Sequence, residues 1–187
     1  MTRLSAKKQI LIFIIGSVLN LLLFALTHYT KFPIWLDHTG TLIISLTCGP
    51  ILGIASLILH TVLVFVFVFR WSALLQMIPI LAIVLIIYYF NKDEGKSFYK
   101  DLSVALRSAS SAFIINTLIF LCCPAPLGRY EYYCEAFAVL TQAGSKLWAS
   151  IITSGAISFI EVLLSFLILS VLMLILPKRD ENLIFKK

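Results

Sequence analysis

The sequence predicts an all-α, polytopic membrane protein. Three observations predict it: the composition, the spacing of the charges, and the uneven placement of lysine and arginine. Of 187 residues, 60% are hydrophobic and 13% are charged, whereas a soluble domain is about half apolar and about a quarter charged. So apolar a chain cannot hide its hydrophobic surface in one small soluble core. Its length suits a single transmembrane domain over residues 1–187. The formal net charge of +6 then bears on orientation in the membrane. No basic patch is interleaved with stacking aromatics on a polar surface, which sets nucleic-acid binding aside.

A helix crosses the hydrocarbon core with about 20 apolar residues. Uncharged runs extend from Lys8 to Lys31, Asp37 to Arg70, Arg70 to Lys92, Arg107 to Arg129 and Glu161 to Lys178. They place spans near 9–27, 72–90, 108–124 and 156–177, with the long stretch 38–69 to be divided. Gly49-Pro50 divides it, because Gly-Pro marks a turn and proline lacks the helical donor. The result is a short span near 35–48, with Pro33 suited to a first helical turn, and a full one near 51–70. Pro79 reads as a kink within the fourth span. The first run follows Arg3, Lys7 and Lys8 as a signal peptide would. However, it is long for one, and Ala25-Leu26-Thr27 is a poor cleavage site, so it reads as a retained helix.

The expectation is therefore six transmembrane helices with both termini cytoplasmic. Arg3, Lys7, Lys8, Lys92, Lys96, Lys100, Arg107, Lys178, Arg179, Lys186 and Lys187 then share one side, eleven in all, against four (Lys31, Arg70, Arg129 and Lys146) on the other. That asymmetry obeys the positive-inside rule. The longest outer segment, 124–146, has room for a short surface helix near Glu131–Thr141 and for a lid. The four cysteines, Cys48, Cys122, Cys123 and Cys134, form no CxxC pair and read as small packing residues. A disulfide from Cys134 to Cys122 or Cys123 is the alternative on an oxidising face, and the sequence leaves that pairing open.

No catalytic pattern is present. There is no Walker loop, no HExxH and no GxSxG, so the expectation is no enzyme and no cofactor. His28, His38 and His60 are well separated in sequence, and no metal site is expected from them. What stands out are polar residues toward the outer halves of the spans, since ionisable groups within a span usually face a bundle interior or a wet cavity. Glu161 reads equally as a pocket carboxylate or as one that snorkels or pairs with Lys146 or Arg129. Asp37 precedes the second span beside Trp35 and His38, where the bland roles are helix cap and interfacial anchor. Arg70 marks an outer turn, Gln76 lies one turn further in, and Glu131 belongs to the aromatic-rich loop. Trp35, Asp37, Arg70, Gln76, Glu131 and Glu161 are the expected substrate-binding residues. Asn116 reads as an interhelical hydrogen bond and His60 as structural packing.

Residues 33–53, about a ninth of the chain, resemble a segment of the substrate-binding S components of energy-coupling factor (ECF) importers. The resemblance rests on Pro33, Leu36-Asp37, Gly40-Thr41, Gly49-Pro50 and Gly53. Two positions depart from that pattern: His38, where a small or hydroxyl residue is expected, and His60, where asparagine is frequent. The resemblance implies capture of a vitamin-like small molecule from outside. It also implies a separate ECF transmembrane subunit and two ATPase subunits as partners, all within a lipid bilayer. Partner docking through small residues on the first helix is implied too, here at Gly16 and, imperfectly, Asn20. The rival expectations are a signalling or assembly module without a small-molecule ligand, and a stand-alone secondary transporter.

Overall fold

The computed structural model describes residues 5–30, 36–68, 72–90, 98–122, 138–142 and 144–175. The elements are α1 (Ala6–Thr30), α2 (Thr39–Cys48), α3 (Pro50–Val68), α4 (Ser72–Phe90), α5 (Phe98–Cys122) and α6 (Lys146–Ser150). A π-helical segment (Ile151–Ala156) then leads directly into α7 (Ile157–Ile175). Residues 138–142 are also helical.

Four helical stretches among the described residues are long and apolar enough to cross a membrane: Ala6–Thr30, Pro50–Phe67, Leu102–Cys122 and Lys146–Val171. The chain is a multi-pass α-helical membrane protein, but the expectation of six spans is corrected to four. The break at Gly49-Pro50 is where the sequence placed it. The helix it leaves behind, α2, has only 10 residues, a rise of about 15 Å, roughly half a hydrocarbon core. The apolar part of α4, Leu74–Phe90, also falls short of a full span. Four spans, like six, return the chain to the side on which it began, so the correction falls on the count and not on the two ends sharing a side.

Two spans begin earlier than their charges suggested. The helix expected from 108 starts at Phe98 and runs through Asp101 and Arg107. The guanidinium of Arg107 lies 4.1 Å above the Phe90 ring, tying the end of α4 to α5. The helix expected from 156 starts at Lys146, where Ser145 Oγ accepts a bond from the Trp148 amide at 3.3 Å and caps the first turn.

In lipid the usual pattern inverts, and a span's exposed face is its apolar one. On α1 the buried residues are Gly16, Asn20, Phe24 and Thr27, a single narrow stripe, while Ile10, Ile14, Val18 and Leu22 are exposed. The helices α1, α3, α4, α5 and α7 pack in that order as a crescent. Helix α2 sits within it and packs on α1, α3, α4 and α7. Among the described residues α1 and α7 do not pack on each other; α2 joins them. The apolar core beside it includes Leu42, Leu57, Ile83, Ile87, Ala109 and Phe166.

Close approach of backbones holds α2 in place. A Cβ on Gly40 would collide with the Gly16 carbonyl oxygen, and one on Gly53 with Ser45 Oγ. Gly49, with φ 98° and ψ 173°, makes the joint between α2 and α3, a conformation essentially reserved for glycine. Pro50 follows as the first residue of α3, where its missing N–H costs no hydrogen bond.

Candidate functional site

The non-helical turn Leu36–His38 leads into α2. Its hydrogen bonds are local: the Thr39 amide donates to the Leu36 carbonyl at 3.0 Å and the Leu42 amide to the His38 carbonyl at 3.1 Å. His38 occupies the N-cap position without a side-chain cap bond. The free first-turn donors of α2 are met in part by α1. Asn20 Oδ1 accepts from the Thr41 amide at 3.2 Å, and Asn20 Nδ2 donates to Thr41 Oγ1 at 2.8 Å. One side chain thus caps the neighbouring helix and fixes its height.

Asp37 is 3% exposed and His60 4%. His60 Nε2 lies 3.0 Å from Asp37 Oδ2, and His38 Nε2 lies 3.8 Å from Asp37 Oδ1. The carboxylate therefore presents one oxygen to each imidazole. The two rings meet edge to face with centroids 5.2 Å apart, and Phe24 packs edge-on against His60 at 6.0 Å. Asp37, His38 and His60 each offer one metal-ligating atom, all within 4.8 Å of one another.

The depth of this cluster follows from α3. After His60 that helix continues through Thr61–Val68, about 12 Å of rise. Asp37 therefore lies well inside the apolar slab, at the level of the middle of a spanning helix. An ionisable group there is expensive and marks a functional site by default. Non-helical backbone at such depth is tolerated where protein or a wet cavity surrounds it.

Other helices turn polar stripes toward the same interior. Ser154, Ser158, Glu161 and Ser165 are all buried and recur at helical spacing along the π segment and α7. Ser165 Oγ lies 3.2 Å from Thr39 Oγ1, so this stripe meets the start of α2, with Glu161 one turn away from the contact. Ser17 Oγ and Thr41 Oγ1 each lie 3.4 Å from Ser56 Oγ, one turn before His60.

Of the residues expected to bind substrate, Asp37 and Glu161 are buried and Gln76 is half-buried on α4. Trp35, Arg70 and Glu131 lie outside the described residues, as do Cys123, Cys134 and most of the outer loop. Cys48 and Cys122 are free thiols. Gly16 and Asn20 are buried against α2. Asn116 is buried on α5, where its carbonyl accepts from Ser154 Oγ at 3.3 Å. Reading residues singly missed the partnership of His38 and His60. The signal was available: both departures from the resembled segment are histidines.

Chemically, the cluster can hold a proton between Asp37 and His60, bind a polar group of a small molecule, or ligate a cation. The fold and this buried site define the chain as a membrane-embedded helical protein consistent with a transport or other membrane function. No family model matches the chain, and neither a curated protein nor a solved structure matches it.

Proposed function

We propose that the chain is the substrate-binding S component of an ECF-type importer, capturing a vitamin-like small molecule from outside. On this reading it works with an ECF transmembrane subunit and two ATPase subunits, and is not itself an enzyme. One observation carries the proposal: an aspartate held against a histidine within the membrane-embedded bundle, at the start of a helix too short to span. Such interrupted helices place substrate sites near the bilayer midplane. The resemblance of residues 33–53 supports the assignment to this importer class, and the absence of a Walker loop suits a subunit energised by others. Asp37 and Glu161 are the proposed interior ligands of the substrate; Gln76, Trp35, Arg70 and Glu131 complete the set expected from the sequence.

Gentle purification followed by native mass spectrometry tests the reading. A bound small molecule, lost when Asp37 and Glu161 are both replaced by alanine, is the expected result. Co-purification should bring down an ATPase pair and a large membrane subunit. Recovery of a lone oligomer that still transports would replace this reading with a secondary transporter, which the interrupted helix also suits.

A further inference from the structure

We infer that Asp37, His38 and His60 form a binding site for a divalent first-row transition-metal ion. The ligand set comes from two segments: the turn entering α2 supplies Asp37 and His38, and the middle of α3 supplies His60. Zinc bonds to histidine nitrogen and carboxylate oxygen are about 2.0–2.2 Å, which separates neighbouring tetrahedral ligands by roughly 3.3 Å. The carboxylate-to-imidazole separations here are 3.0 and 3.8 Å, one on each side of that value, and no pair of ligand atoms is further apart than 4.8 Å. Rotation of the side chains is what would draw the widest pair together and bring all three onto one ion.

The chemistry of the three groups suits a metal. Buried charges are paired, hydrogen-bonded or coordinate metals, and a neutral imidazole is the commonest metal ligand in proteins. One divalent ion between the three groups meets the carboxylate's charge with both rings neutral.

Two imidazoles and one carboxylate suit zinc, nickel, copper or iron. Calcium is disfavoured, since it takes six to eight oxygen ligands. Three protein ligands leave a further coordination position for water or for a donor atom of a captured molecule. The inference stands on this geometry and does not require the importer reading.

The test uses the full chain in detergent micelles, freed of any affinity tag and stripped with a chelator. Titration with Co2+, read by its visible d–d absorption, should saturate at one ion per chain, and Zn2+ should displace it. Asp37→Asn, His60→Asn and His38→Thr should each weaken Zn2+ binding at least about tenfold, while H28A, on an exposed residue of α1, should bind as the unchanged protein does. His38→Thr is the decisive variant, because its turn position tolerates a small hydroxyl residue better than the core tolerates loss of Asp37. Helical circular dichroism and a monodisperse elution profile establish that each variant is folded. Absence of stoichiometric binding by the unchanged protein overturns the site, and so does unaltered affinity in folded H38T and H60N. Stoichiometric binding lost in these variants, without a co-purifying ATPase pair, upholds the metal site and rejects the importer. Recovery of that pair with a protein that binds no metal does the reverse.

Discussion

Asn20 on α1 caps α2 through Thr41, exchanging two hydrogen bonds with its backbone amide and its hydroxyl. Asn20→Leu removes both bonds and leaves the Thr41 amide buried without that acceptor. The expected loss is about 1–2 kcal/mol, seen as a lower midpoint in thermal or denaturant unfolding of the micellar protein. The loss should exceed the average of about 0.6 kcal/mol for an interhelical bond in a membrane, because a first-turn donor of α2 is orphaned as well. An unchanged midpoint would remove Asn20 from its role as a cap.

Gly40→Ala should destabilise the protein despite improving helix propensity. That propensity gain is about 1 kcal/mol. Against it, the new Cβ would strike the Gly16 carbonyl and Asn20 Oδ1, and a backbone oxygen cannot rotate away. Overpacking of this kind costs about 1–3 kcal/mol, so the net sign should be destabilising. Stabilisation on measurement would mean that α1 and α2 lie further apart than described.

At Gly49 the expected cost has a different origin. No atom lies within 4 Å of a Cβ built there, so Gly49→Ala and Gly49→Leu should lose similar amounts, about 1–3 kcal/mol, from backbone strain alone. A leucine variant far worse than the alanine variant in the same unfolding assay would point to crowding instead.

Gly155 in the π segment packs on α5, where an added Cβ would meet Thr117 Oγ1 and crowd the Phe113 ring. Gly155→Ala alone should destabilise. Combined with Thr117→Ala, which removes the obstructing hydroxyl, it should lose less than the sum of the two single changes. A double-mutant cycle should give a coupling of about 0.5–3 kcal/mol; strict additivity would separate the two positions.

Much of this architecture is legible from the residues themselves. The break at Gly49-Pro50 could be read because both residues act through their own backbone chemistry. The membrane class could be read because it depends on composition. Charges located the spans less well. Helix α5 runs through Asp101 and Arg107, since residues near a span's end do not interrupt helical hydrogen bonding. The count of spans was misjudged at α4 and at α2, whose shortness is tolerated through packing by α1, α3, α4 and α7 that one sequence does not display. Asp37 and Glu161 stood out as costly residues in an apolar setting. His60 looked like packing because its partners, Asp37 and His38, reach it only through the antiparallel register of α2 on α3, and the Gly53–Ser45 contact sets that register.

The shortness of α2 also decides what sets the height of Asp37. A long helix adjusts to a thinner or thicker bilayer by tilting, or by drawing lipid toward its ends. A ten-residue helix clasped by its neighbours has too little length to register that thickness. Its position along the membrane normal is referenced to Gly16, Asn20 and Ser45, and so to protein alone. Membranes of different thickness should therefore change the inclination of α1 and α3 while leaving the spacing between Asp37 and His60 as it is.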